Sequence, residues 1–183
     1  KRDILVTRVE KAQDAQEEAK EQFADALQSF LSVTQIDGGE LKVKYDELTT
    51  QLESCESRAG EVNARIGAID EVATALFEEW GNELAQYSNS NLRSQSMQQL
   101  NKTRVSYGEL MTVMRRAAAR MEPILVQFRD QVLFLKHNLN AQALRSLDAS
   151  SRAIQGDIAN LIRDMEKSIR EADEFILGMK PVQ

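Results

Sequence analysis

Apolar residues recur along this chain at alternating intervals of three and four, the spacing that places side chains on one stripe of a helix. The most apolar run, Met121 to Leu147, shows it clearly: Met121, Leu125, Phe128, Val132, Leu135 and Leu139 follow at steps of four, three, four, three and four. Four long helices that bury such stripes against one another account for nearly the whole sequence, with predicted bounds of about 3–34, 40–87, 92–138 and 141–178. The expected fold class is all-α, an antiparallel four-helix bundle or coiled coil forming one helical domain over residues 1–183.

Helix one carries Leu5, Val9, Ala12, Gln16, Ala19, Phe23, Ala26, Phe30 and Val33 as an unbroken heptad seam. Gln16 is its one polar member, and such a residue fixes register at some cost in stability. Ile36-Asp37-Gly38-Gly39 then stops the helix, because paired glycines accept the left-handed geometry of a cap. Helix two repeats the seam from Leu41 to Trp80, where it shifts by one residue to Leu84 and Tyr87, a local change of winding. Gly60, Gly67 and Gly81 share one flank of this helix. Each costs about 1 kcal/mol against alanine, and close approach of a neighbouring helix is the expected compensation.

Ser88-Asn89-Ser90-Asn91 reads as a hairpin tip, since all four residues favour turns and caps. Helix three starts polar, with Ser96, Gln99 and Thr103 where the pattern calls for Leu. Pro123 is expected to kink it by removing a backbone donor and crowding the preceding turn. At Asn138-Leu139-Asn140 neither glycine nor proline enforces a break; Asn140 is the expected N-cap, and a continuous helix is the alternative. Helix four carries Leu144, Leu147, Ile154, Ile158, Leu161, Met165, Ile169, Ala172, Ile176 and Met179, and stops between Gly178 and Pro181.

Short connections make consecutive helices antiparallel neighbours. Helices two and three are the longest, so helix one is expected along the first part of helix two and helix four along the last part of helix three. The base is then a four-helix bundle, and the hairpin of helices two and three outruns it by roughly 10 to 17 residues, about 15 to 25 Å.

Composition narrows the functions open to such a fold. The chain holds 23 Lys and Arg against 29 Asp and Glu, a net charge of −6, which disfavours an electrostatic grip on nucleic acid. No apolar run approaches the roughly 20 residues of a membrane span. The start at Lys1, without methionine, is expected to reflect a processed or trimmed N-terminus. Cys55, the one cysteine, lies on the seam of helix two and reads as a small core residue.

Candidate chemistry is sparse. A di-metal carboxylate site in a bundle needs two Glu-x-x-His pairs, whereas the one histidine, His137, has Phe134 three residues before it and reads as a surface group. Asp14, Glu17, Glu18, Glu21 and Asp25 form an acidic strip that reads as a solvated face. Arg115, Arg116 and Arg120 form a basic cluster expected to pair with acidic neighbours. Of Met97, Met111, Met114 and Met121, three fall on the seam and read as core. Glycine-rich phosphate loops, Gly-x-Ser-x-Gly, His-Glu-x-x-His and Cys-x-x-Cys are all missing. The expectation is therefore no enzyme, no cofactor and no bound metal. Phe77, Trp80, Leu84 and Tyr87 are the candidate partner-contact residues, because they fall near the projecting hairpin where two helices alone can bury them. The competing reading is that they staple the hairpin itself.

KRDILV at Lys1, IDGGEL at Ile36, FEEWGNELAQYSN at Phe77, RDQVLFLKHNLNA at Arg129 and LIRDMEKSIREAD at Leu161 carry a family resemblance. In these stretches, which span nearly the whole chain, the sequence resembles an uncharacterised Gram-negative bacterial family, a domain of unknown function whose members look like envelope lipoproteins. The resemblance implies a periplasmic, lipid-anchored location, with the anchor lying ahead of Lys1, and it transfers no functional residue. The expected role is a non-enzymatic helical scaffold or adaptor of the cell envelope that meets an unknown protein partner through residues of about Phe77 to Lys102. Two other readings stand beside it: a peripheral membrane-binding protein of the stress-response or remodelling kind, and a self-assembling coiled-coil homo-oligomer. Against the membrane reading, the polar faces mix both charge signs and carry more acid than base.

Overall fold

The structure, a computed structural model, describes residues 1–33, 40–138 and 141–180, with the side chains of 141–144 excepted. Its elements are α1 (Arg2–Val33), α2 (Leu41–Glu83), a 3-10 turn at Leu84–Gln86, α3 (Ser90–Ala119), α4 (Met121–His137) and α5 (Ala141–Met179). Among the described residues there is no strand. α3 and α4 are two pieces of one rod, so the fold is the expected antiparallel arrangement of four rods. α2 alone has 43 residues, about 65 Å at the helical rise. The Ile36–Gly39 connection, Leu139 and the proposed cap Asn140 lie outside the described residues.

Packing follows the seams. α1 lies antiparallel to α2, with Gln22 Nε2 donating to Gln51 Oε1 at 2.7 Å and Arg58 reaching Glu18. It is also antiparallel to α5, where Gln13 Nε2 donates to the Ile169 carbonyl at 3.1 Å. α3 packs chiefly on α5, and α4 on α2. Phe30 stacks on Phe128 with centroids 4.4 Å apart and planes within 7°, and Phe23 meets the same ring at 6.4 Å. Met121, Leu125, Phe128, Val132 and Leu135 are all buried, as their stripe predicts. Gln16 is fully buried and accepts a 2.7 Å hydrogen bond from Ser168 Oγ of α5. In α5 the serines Ser151 and Ser168 take core positions, whereas Ile169, predicted on the seam, is half-buried.

Three local features bear on the expectations, the second overturning its own and the others agreeing to within a few residues. The irregularity expected near Pro123 falls three residues earlier, at Arg120, a single turn residue that keeps helical angles at φ −75°, ψ −18°, so the rod continues from α3 into α4. Proline at 123 has no N–H for the carbonyl of Ala119, four residues back, and its ring crowds that group. The ladder tightens there, with the Arg120 N–H turning to the Ala117 carbonyl at 3.2 Å. Second, the glycine flank of α2 is not a close approach: a Cβ at Gly60 or Gly67 would meet nothing within 4 Å, and at Gly81 only the Arg104 guanidinium at 4.0 Å. Neighbouring helices reach α2 on its seam, and Gly60 and Gly67, one step past it, face outward. Third, α4 ends at His137, because Asn138 leaves the helical region at φ −130°, ψ 57° while its Nδ2 donates to the Phe134 carbonyl at 2.9 Å.

Candidate functional site: the hairpin tip

Near the far end of α2 the bundle thins from four rods to two. Lys1 Nζ pairs with Glu79 Oε2 at 3.1 Å, which sets the start of α1 level with Glu79. Met179, the last residue of α5, lines one cavity of about 250 Å³ with Gln99, Lys102 and Thr103, which sets the end of α5 level with that part of α3. From Glu78 to Gln99 no residue is buried, whereas Phe77 and Leu100 on either side are. The projecting hairpin is this unburied stretch.

Its root is firmly built. Phe77 packs edge-on against Tyr107, with centroids 5.4 Å apart and planes at 75°, under the guanidinium of Arg104 at 5.6 Å. The Tyr107 hydroxyl donates to Asp70, whose second oxygen takes Arg115. Burial, and then the Asp70 carboxylate, raise the Tyr107 phenol well above its ordinary value, so it stays a hydrogen-bond donor. Higher up, Trp80 Nε1 donates to Ser96 Oγ at 2.9 Å, which explains a serine where the seam calls for Leu. Thr103 also faces inward, while Gln99 is exposed and Leu100 takes the buried place.

The seam shift after Trp80 has a physical counterpart, since the helix tightens into the 3-10 turn at Leu84–Gln86. Tyr87 is extended at φ −70°, ψ 120°, which ends the first of the two helical strands of the hairpin. Asn89 caps the next helix, its side-chain oxygen accepting from the N–H groups of Asn91 at 2.9 Å and Leu92 at 3.1 Å. α3 therefore begins at Ser90, two residues before its predicted start.

The four predicted contact residues divide. Phe77 is buried at the root, Trp80 and Leu84 are half-buried between the two strands, and Tyr87 is 42% exposed. Leu92 and Met97 of α3, which sequence reasoning did not single out as contacts, are 50% and 46% exposed. One signal would have found them: between Trp80 and Asn101 the charged residues are Glu83 and Arg93, one of each sign. In a chain with 28% charged residues that segment is unusually bare.

The other candidates settle into structural places. Arg115 pairs with Asp70, and Arg116 and Arg120 both reach Asp164, so the basic cluster is spent on ion pairs. Burial alone would raise the Asp164 carboxyl, but Arg120 and then Arg116 hold it below the usual aspartate value. Met111, Met114 and Met121 are buried. His137 is exposed. In the acidic strip Glu17 pairs with Lys20 and Glu18 with Arg58, and among the described residues no group of His, Cys, Asp and Glu is arranged to hold a metal ion. Cys55 is fully buried, its thiol pushed up to about 12 by that burial. Among the described residues no helix is long and apolar enough to cross a membrane.

The sequence model of a family described as protein of unknown function (DUF2959) matches residues 1–179. The chain belongs to this family. The DUF2959 match runs through base and hairpin alike, so the projecting tip lies inside the family's domain. No curated protein and no solved structure matches the chain.

Proposed function

We propose that this DUF2959 chain is a non-enzymatic helical scaffold or adaptor of the bacterial cell envelope, with its four-rod base as the body and its hairpin tip as the surface that meets a protein partner. The observation that carries this reading is the composition of the tip. Protein interfaces are depleted of Lys, Glu and Asp at their centres and enriched in Tyr, Met and Arg. The segment from Leu84 to Asn101 has Arg93 as its one charge and presents Tyr87, Leu92 and Met97 to solvent. Its Ser, Asn and Gln residues add adaptable hydrogen-bonding groups.

A non-enzymatic role is supported by the state of the two most reactive side-chain types. The lone histidine is exposed on the surface, and the lone thiol is buried and protonated at neutral pH. The envelope location, periplasmic and lipid-anchored, draws its support from the family resemblance in the sequence. In-cell photo-crosslinking tests the contact surface: a photoreactive residue at Ser90 on the tip is expected to give a discrete adduct that the same residue at Glu17 on the base does not. Adducts from Glu17 with silence from Ser90 would move the working surface to α1 and end this reading. Fractionation of cells expressing the native gene tests the location, with recovery in the cytosol as the contrary result.

A further inference from the structure

The reading of the tip as a contact surface leaves its partner open, and the charges narrow it. The chain carries a net −6, so two copies meeting along their bodies repel. The segment from Trp80 to Asn101 is neutral, with Glu83 balancing Arg93. It is the region where two copies approach without that penalty. These two charges also share a level: the Trp80–Ser96 hydrogen bond sets the pairing of the strands, and three residues further toward the turn on each strand stand Glu83 and Arg93. Each is exposed, and no ion pair joins either one to a neighbour among the described residues.

Every lower level of the rod buries its seam among four helices, while the hairpin has two. A second hairpin laid against it head to head would restore four. The neutral stretch from Trp80 to Asn101 has 22 residues, and since only part of them can face a second hairpin, the contact is smaller than the roughly 20–30 residues per side of a standard interface, as suits a reversible dimer. Overlap along the whole projection puts the two-fold axis at the level of Glu83 and Arg93, so the arginine of each copy meets the glutamate of the other. Because Trp80–Ser96 and the Asn89 cap already fix the strands, little ordering remains to be done on association.

Resting on that reading of the tip, we infer that its partner is a second copy of this chain, two hairpins overlapping head to head with Arg93 of each against Glu83 of the other and Tyr87, Leu92 and Met97 between them.

The test is sedimentation velocity on the chain of residues 1–183 across a wide concentration series, at low and high salt, with circular dichroism to establish that each variant folds. A reversible dimer is expected. Arg93→Glu and Glu83→Arg are each expected to weaken it roughly tenfold, and the double swap Glu83→Arg/Arg93→Glu to restore it, as a paired reversal does. Leu92→Glu is expected to abolish it with helicity unchanged. In cells, the Ser90 adduct is expected at twice the mass of the chain. A monomer at every concentration together with a Ser90 adduct to a different protein, or tip-dependent sedimentation with anionic vesicles, overturns the homotypic pairing and leaves the tip a contact surface. A dimer indifferent to the three single substitutions also overturns it. A monomer with no Ser90 adduct of any kind overturns both.

Discussion

Inside the core, where neither side chain is exposed, Ser168 Oγ donates to Gln16 Oε1 at 2.7 Å and ties α1 to α5 at one register. Among the described residues the Gln16 Nε2 has no hydrogen-bond partner, so the pair carries a buried donor that they do not satisfy. An unsatisfied buried group costs about 1–3 kcal/mol, and a made hydrogen bond returns about 1. Gln16→Leu with Ser168→Ala is therefore expected to raise stability above the parent chain. A double-mutant cycle by chemical denaturation should show about 0.5–1.5 kcal/mol of coupling between the two sites. Strict additivity would mean that the hydrogen bond contributes nothing.

The outward glycines of α2 make the opposite kind of prediction. A Cβ at Gly60 or Gly67 meets open space, so alanine adds helix propensity without a clash. Gly60→Ala and Gly67→Ala are each expected to stabilise by about 0.5–1 kcal/mol and to add independently. Thermal melts of the two single variants and their combination check it; destabilisation would reveal a contact on that flank.

Asp164 sets the acid side of the stability curve. Burial would raise its carboxyl, but Arg120 and Arg116 outweigh that and hold it below 3.8. A carboxylate with a lowered native value stabilises the fold above its unfolded value, and that contribution disappears as pH falls through the native one. Asp164→Asn should thus lower stability at neutral pH by about 1 kcal/mol. Its acid limb, below about pH 4, should be flatter than that of the parent. Parallel acid limbs in denaturation at stepped pH would show that the two arginines do not act through this carboxylate.

Cys55 acts at the alkaline end. Burial moves its thiol from 9.0 up to about 12, so the unfolded chain loses that proton first. The contribution is fully present below 9.0 and is lost as pH rises toward 12. Cys55→Ala is expected to remove this slope at the cost of a small cavity. Thiol labelling of the parent at mildly alkaline pH should follow global unfolding; rapid labelling of the folded protein would contradict the burial.

At the hairpin, Trp80→Phe keeps an aromatic ring, though a smaller one, and removes the indole donor to Ser96. The expected loss is about 1 kcal/mol, confined to the projection. Hydrogen exchange should report it as faster opening of the amides around Leu84 to Ser96, with α1 and the base unchanged.

Much of this arrangement was written in the spacing of apolar residues. The heptad stripe of α1, the run from Met121 to Leu135 and the polar Gln16 among them all read directly, because burial there follows helical period. What the stripe could not show was Ser168 filling a core position ahead of Ile169, since a small hydroxyl counts as polar until its partner is known. Nor could it show the glycine flank: spacing gives the side of a helix on which a residue lies, not how near the next helix comes. At the tip, aromatic spacing pointed to Phe77, yet the pairing of Lys1 with Glu79 brings α1 up to that level, and Phe77 is buried. Leu92 and Met97 were legible in the scarcity of charge around them rather than in any period.

The turn at Arg120 marks where the third rod changes company. Before it the rod lies chiefly against α5 along α3, and after it chiefly against α2 along α4. Arg120 keeps helical angles at φ −75°, ψ −18°, so one continuous rod joins the tip to the stacked phenylalanines of the base while leaning on a different partner in each half.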